Sequence, residues 1–242
     1  MSLGLWDVLL IAAVSVQATA LAYLHHPKWK ALLLSLPIPF TLAILAVGRP
    51  VDATNALGFV LLLVFTHCVR VLHQELRVPI IAAIVLSALL YGTLGWLLAG
   101  LLPPSDAAFW SAMAFILVLG IALLRFLPAR REPGHRSPLP VWVKLPLIAA
   151  VVLLLVLLKS GLRGFTTAAP MVGVVAAYEM RHSLWTACRQ IPLLMISMTP
   201  MLILCRLTSA ELGIAGALGL GWIGTLCVLV PLTRAEWANE IT

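Results

Sequence analysis

Charge is scarce in this chain. Only 10% of its 242 residues are Asp, Glu, Lys or Arg, whereas 62% are hydrophobic and the mean hydropathy is +1.07. A soluble domain of this length could not cover its surface with so few polar side chains. The composition therefore excludes a soluble globular protein and predicts a polytopic membrane protein.

The N-terminus lacks the Lys/Arg-rich region of a signal peptide, because the chain begins Met-Ser-Leu-Gly-Leu-Trp-Asp. The first apolar run is therefore expected to be a retained helix. The four cysteines lie in apolar runs without C-x-x-C spacing, which favours packing over disulfides or metal binding. We predict no metal site and no cofactor.

Catalytic motifs are also missing. The sequence contains no Ser/His/Asp set, no H-E-x-x-H, no Walker loop and no G-x-G-x-x-G followed by a soluble α/β unit. The loops are too short to hold a catalytic domain. We therefore predict no catalytic residues, and an intramembrane enzyme that acts on a lipid is the less favoured class.

Apolar segments of about 20 residues, the length that crosses a bilayer, can be separated at the clusters of charge, Pro and Gly. Nine are predicted, at 5–24, 30–48, 54–73, 79–102, 106–127, 141–160, 164–180, 183–206 and 209–232. The fold class expected is an all-α polytopic membrane protein. We divide it into a first four-helix repeat (1–103), a linker helix with a basic cytoplasmic loop (104–140) and a second four-helix repeat (141–242).

Nine spans distribute the 16 cations unevenly between the two sides of the membrane. Twelve fall on one side: Lys28, Lys30, Arg70, Arg77, Arg125, Arg130, Arg131, Arg136, Lys144, Arg181, Arg189 and Arg234. The other four are Arg49, Lys159, Arg163 and Arg206. Because cytoplasmic loops carry the excess of Lys and Arg, we predict that the N-terminus is outside and the C-terminus inside. The net charge of +7 is explained by this excess of cations in the loops of one side. No nucleic-acid partner is therefore expected.

Two stretches half a chain apart share a pattern. Lys30 precedes Pro37 by seven residues, and Arg163 precedes Pro170 by seven residues, and each proline is followed by an apolar helix. Pro-interrupted spans in corresponding places of two halves are the best sequence indicator of a transport site.

A second match supports an internal repeat. The run Leu10-Ile11-Ala12-Ala13-Val14 recurs as Leu147-Ile148-Ala149-Ala150-Val151, just ahead of the two proline spans. Each helix and its copy are five spans apart, and five is odd, so the copies must run in opposite directions. We predict that helices 1–4 and 6–9 form inverted repeats joined by helix 5.

The run Leu34-Ser35-Leu36-Pro37-Ile38-Pro39-Phe40-Thr41-Leu42-Ala43-Ile44-Leu45, after a helix that ends in a short basic turn, resembles the second helix of the GlpM-like bacterial inner-membrane proteins. Lys144 to Leu232 resembles the same four-span layout, with Lys159-Ser160-Gly161 and Arg181-His182 at its turns, but keeps one proline of the pair. The family is associated with glycerol metabolism and alginate production and has no established biochemical activity. The resemblance implies a multi-pass protein of the bacterial cytoplasmic (inner) membrane. It also implies a fused duplication of a small protein that would otherwise pair with itself antiparallel.

The proline spans define the candidate site. A proline inside a helix frees the carbonyl four residues earlier, here those of Leu33, Ser35 and Thr166, and these must find new partners inside a bilayer. The alternative is two simple kinks filled by the Thr and Ser hydroxyls nearby. The candidate substrate-binding residues are Ser35, Pro37, Pro39, Thr41, His67, Lys159, Arg163, Thr166, Thr167, Pro170, Glu179, Arg189 and Gln190.

Other polar groups within the spans have alternative explanations. Arg189 could pair with Glu179 or extend to the cytoplasmic interface. His67 could carry a proton or be a hydrogen-bonded buried side chain, which we favour. Gln17 is expected to bond to a neighbouring helix, and small residues at Gly213, Ala217 and Gly221 predict a close-packing face in helix 9.

Three functions remain open. We favour a secondary transporter or flippase-like protein with a midplane site between helices 2 and 7, because interfacial cations outnumber anions there and favour a small anionic solute or an anionic lipid. The second is a non-catalytic accessory subunit of an envelope pathway, and the third is the intramembrane lipid-modifying enzyme. The expected partner is the lipid bilayer, and a homodimer is left open.

Overall fold

The computed structural model describes residues 4–128, 130, 132–134, 140, 142, 145–146, 148–150, 152–153 and 162–239. All regular structure in these residues is helical. Six segments are long and apolar enough to cross a membrane. The prediction of an all-helical multi-pass membrane protein is therefore confirmed.

The helices follow the predicted spans closely in the first half of the chain. They are α1 (Leu5–Tyr23), α2 (Pro27–Leu34), α3 (Ile38–Val47), α4 (Ala53–Arg70, extended by a π-turn at Val71–Glu75), α5 (Ile80–Leu101), α6 (Asp106–Phe126), a 3₁₀ helix (Arg163–Ala168), α7 (Met171–Glu179) and α8 (Leu184–Asn239). Much of the predicted span 141–160 lies outside the described residues. Its described members Ile148 and Val152 are buried in a cluster with residues of α1 and α7.

Local capping explains where several helices begin. The Asp52 carboxylate accepts a hydrogen bond from Thr54 N at 2.8 Å and starts α4, and Ser105 Oγ accepts one from Ala108 N at 3.2 Å and starts α6. The Glu132 carboxylate, from the linker, accepts hydrogen bonds from the backbone N–H groups of Trp185 and Thr186 at 3.2 and 2.6 Å. It therefore caps the positive N-terminal end of α8.

The end of the chain differs from prediction. Two separate helices at 183–206 and 209–232 were expected, but α8 continues through both and bends at Gly213, whose φ of 68° lies in the left-handed region. Glycine reaches that conformation without a Cβ clash, so the bend falls there rather than at the polar residues before it. We refer to 184–212 as the first arm and to 214–239 as the second arm.

The two arms of α8 pack against each other. A Cβ on Gly221 would lie 2.9 Å from Cγ of Met201 on the first arm, and Ala217 is fully buried. The close-packing face is therefore confirmed for these two residues. It was wrong for Gly213, which is exposed and forms the bend.

The bundle has two ends with different contacts. At one, which we call the basic end, the rings of Trp29 and Trp237 lie 5.0 Å apart, so the start of α2 meets the end of α8. At the opposite end, Arg206 donates to Asp106 at 3.2 Å from Nε and to Val51 O at 3.0 Å from Nη1. These contacts place Trp29 and Trp237 at one end of the bundle and Arg206 at the other.

Candidate functional site

The first proline span is broken. The α2 helix ends at Ser35, and Pro37 begins α3 after a tight turn. The carbonyl of Leu33, which Pro37 frees, accepts a hydrogen bond from Gln17 Nε2 of α1 at 2.8 Å. The predicted cross-helix bond of Gln17 is confirmed, and it satisfies a backbone group that the proline leaves without its usual partner.

The first break is also fixed from its other side. Thr41 Oγ1 donates to Pro37 O at 2.7 Å and accepts from Trp222 Nε1, on the second arm of α8, at 2.9 Å. The hydroxyl thus fills part of the kink, as the simpler alternative proposed, and ties the break to the other half of the chain.

The second proline span is broken as well. The 3₁₀ helix ends at Ala168, Ala169 is extended and Pro170 begins α7. The carbonyl of Thr166, freed by Pro170, accepts from Ala169 N at 3.2 Å. Thr166 and Thr167 are both buried.

A group of polar residues at the start of α4 holds the second break. Gly164 N donates to Thr54 Oγ1 at 3.0 Å, and Asn55 Nδ2 donates to Thr167 Oγ1 at 3.0 Å. Tyr91 OH of α5 donates to Phe165 O at 2.7 Å. We call Thr54, Asn55 and Tyr91, with the backbone groups they bind, the polar clamp.

Sequence reasoning missed the polar clamp. A signal was present, because Asp52 and Asn55 form a reciprocal capping pair in which Asp52 N donates to Asn55 Oδ1 at 2.7 Å. That pattern predicts a helix start, but it does not indicate that Asn55 contacts Thr167, which is more than 100 residues away.

The first break has a matching contact from α8. Gln190 Nε2 donates to Ser35 Oγ, and Ser35 Oγ donates to Ala31 O at 3.1 Å. Ser35 is fully buried and Gln190 nearly so. The structure therefore brings together these two candidate residues, which the sequence placed on different helices of different halves.

Both breaks line one cavity of about 70 Å³. Pro37 and Pro39 line it from the first break, and Pro170 and Thr167 line it from the second. Apart from the hydroxyls of Thr66 and Thr167, the described lining side chains are apolar. The two proline spans thus meet at a common apolar space in the interior of the bundle.

The charged candidates lie away from this cavity. Arg189 Nη2 pairs with Glu236 at 2.5 Å and its Nη1 donates to Leu127 O at 2.8 Å, so the suggested pair with Glu179 is wrong. His67 is half-buried and its Nδ1 lies 3.0 Å from Leu63 O of its own helix, as the favoured interpretation expected. Lys159 lies outside the described residues, as does the side chain of Arg163.

Lys30 is a buried cation, although the sequence predicted it among the twelve cations of one membrane side and as a marker of the repeat. Its side chain is 1% exposed, and Nζ donates to Glu179 O at 3.0 Å. That carbonyl is at the C-terminal end of α7, where the helix dipole is negative. The cation that begins the first proline span therefore stabilises the end of the second.

No protein-family model, curated protein or solved structure matches the chain. Within the described residues, no group of three or more His, Cys, Asp or Glu side chains is placed to hold a metal ion. The broken helices, their shared cavity and the charges at the basic end are therefore the features that bear on function.

Proposed function

We propose that the chain is a flippase-like membrane protein that moves an anionic lipid, built from nine spans in two inverted repeats. The observation that carries the proposal is the single apolar cavity bounded by both proline breaks. Two broken helices that meet inside a bundle are the usual construction of a transport site.

The positions of the helix ends support nine spans. Glu132 contacts the start of α8 at the basic end, whereas Gly164 contacts the start of α4 at the opposite end. The chain therefore changes ends between these two residues. The six apolar segments give seven crossings when α8 is counted as two arms. The change of ends after Glu132 adds an eighth, and the 3₁₀ helix with α7 adds a ninth.

The contacts at the two breaks support an inverted repeat. Near the start of α4, Asn55 bonds to a hydroxyl just before Pro170, and near the start of α8, Gln190 bonds to a hydroxyl just before Pro37. Each half thus supplies a side-chain amide to the broken helix of the other half. Two copies related by a twofold axis in the membrane plane would give this reciprocal arrangement.

The lining of the cavity favours a lipid over a small anion. No charged side chain lines it among the described residues, and transferring a bare anion into such an environment is costly. Part of an apolar chain could enter it while the charged headgroup stays with the cations of the basic end. If those cations face the cytoplasm, as the positive-inside rule predicts, the N-terminus is outside and the C-terminus is inside.

Lipid translocation in vesicles tests the function. Purified protein is reconstituted with fluorescently labelled phosphatidylglycerol, and dithionite reduction reports the label that reaches the outer leaflet. Ala169→Leu adds bulk to the cavity, whereas Ala114→Leu adds the same bulk to an exposed position of α6. Overpacking strain is about 1–3 kcal/mol. If it raises the barrier to translocation by the same amount, Ala169→Leu should slow translocation about 5- to 150-fold and Ala114→Leu should not.

The proline breaks give a second test of the same activity. In Pro37→Ala and Pro170→Ala the helices can continue through the break, so translocation should fall while membrane insertion and elution as a folded protein stay unchanged. Wild-type protein that moves no label, or proline variants that match it, would contradict the proposal.

The second candidate is an accessory subunit with no transported substrate. The small size of the cavity favours it, because an engineered cavity that binds benzene is about 150 Å³ and this one is about 70 Å³. Tight co-purification with an envelope protein, together with silent Pro37→Ala and Pro170→Ala variants, would support this role.

A further inference from the structure

A second cavity of about 40 Å³ lies at the basic end, between the start of α2, the linker and both arms of α8. Its charged and aromatic lining residues are Lys28, Arg130, Arg189, Glu236, Trp185 and Trp237. We call this the basic pocket. Three cations and one carboxylate line it, so it carries a net positive charge.

Two of the cations are held in place by neighbouring groups. Arg189 is bound by Glu236 and Leu127 O, as described above. The Arg130 guanidinium lies 4.3 Å from the centre of the Trp185 ring, and that ring is fixed because its Nε1 donates to Pro128 O at 2.8 Å. The pocket is therefore organised by contacts of its own and is more than a chance grouping of surface charges.

The floor of the basic pocket adjoins the apolar cavity. Gln190 lines the basic pocket, and its partner Ser35 lies between Leu34 and Leu36, which line the apolar cavity. The hydrogen bond between Gln190 and Ser35 therefore links the lining of the basic pocket to the chain segment that lines the apolar cavity. That arrangement fits a molecule with a negative headgroup and an apolar chain.

We propose that the basic pocket binds the phosphate of an anionic lipid headgroup. Basic pockets between membrane helices suit such headgroups, and guanidinium groups form charge-assisted hydrogen bonds to phosphate oxygens. Trp185 and Trp237 also line the pocket, and tryptophan is enriched at the headgroup level of membranes. Binding does not require translocation, so this proposal stands even if the lipid is not moved.

Lipid-dependent thermal stability of the purified full-length protein tests the pocket. Detergent-solubilised protein is titrated with short-chain phosphatidylglycerol, with short-chain phosphatidylcholine and with inorganic phosphate, and the unfolding temperature is followed. We expect saturable stabilisation by phosphatidylglycerol at concentrations at which phosphatidylcholine has no effect. Equal effects of the two lipids would overturn the proposal. Saturation by phosphate alone, with the same dependence on the variants below, would assign the site to a soluble phosphate compound.

Charge removal separates a site from a diffuse surface charge. Lys28→Gln and Arg130→Gln should each weaken phosphatidylglycerol binding about fivefold. Arg125→Gln, which removes an exposed cation from the last turn of α6 without touching the pocket, should change it little. An equal loss in all three variants would overturn the proposal. If a Gln variant unfolds, Lys28→Arg and Arg130→Lys keep the charge and should retain most of the binding.

Discussion

Replacement of Gly164 by Ala should disrupt the polar clamp. A Cβ at this position would overlap Thr54 Oγ1 and lie 2.7 Å from Asn55 Cγ, and both side chains are buried. Since Gly164 does not have a positive φ, Ala adds no backbone strain, and the expected effect is steric. The 3₁₀ helix must move away from α4, which breaks the bonds of Gly164 N to Thr54 and of Asn55 to Thr167.

The size of the effect follows from these contacts. Overpacking costs about 1–3 kcal/mol. Each lost side-chain hydrogen bond between membrane helices costs about 0.6 kcal/mol on average. Together they predict that Gly164→Ala lowers the free energy of unfolding by about 2–4 kcal/mol. Titration of the folded protein with SDS in mixed micelles measures this change.

Two further variants make the measurement specific. Gly92, inside α5, has no atom within 4 Å of a built Cβ, so Gly92→Ala should be neutral or stabilise by up to about 1 kcal/mol. Asn55→Ala removes part of the same clamp, so its effect and that of Gly164→Ala should sum to more than the effect of the double variant. If Gly164→Ala unfolds within about 0.5 kcal/mol of wild type, the clamp does not hold the second break.

Three other predictions test packing and topology. Gln17→Leu leaves the freed carbonyl of the first break without its side-chain donor and should destabilise the protein by about 0.6–2 kcal/mol in the same SDS titration; an unchanged midpoint would contradict this. Gly221→Val forces the arms of α8 apart and should cost about 1–3 kcal/mol, whereas Gly219→Val, with open space around it, should cost less than half as much. In a cysteine-free background, Arg49→Cys and Gln74→Cys should react with a membrane-impermeant maleimide from opposite sides; labelling from one side would refute the assignment of these exposed positions to different ends.

Much of the helical layout could be predicted because its signals are local. Asp52 and Ser105 cap the helices that follow them, and the apolar runs between such caps have the length of a membrane crossing. The same reasoning failed at the end of the chain. The predicted boundary between spans 183–206 and 209–232 fell after Arg206, but the backbone stays helical there and turns only at Gly213. A charged residue indicates where the chain can leave the apolar part of the membrane. The bend of this helix depends instead on a residue that can adopt a positive φ.

The candidate site was predictable only in part. Proline reveals a break from its own chemistry, so Pro37 and Pro170 were identifiable without a structure. The partners of the broken segments were not, because Thr54, Asn55 and Lys30 are ordinary residues at helix starts. Their roles come from contacts with residues more than 100 positions away. The spacing of residues within one helix does not predict such contacts.

The way in which the breaks are held suggests how such a site can open. Each break is stabilised by few polar contacts from the other half, including Asn55 to Thr167 and Gln190 to Ser35. Side-chain hydrogen bonds between membrane helices contribute about 0.6–2 kcal/mol each, which is enough to favour one arrangement and small enough for thermal motion to break. The apolar packing around the cavity would remain when such a bond opens, because the lining residues belong to several helices. Separation of Gln190 from Ser35 would therefore loosen the contact between the start of α8 and the first break without removing the apolar packing around that break.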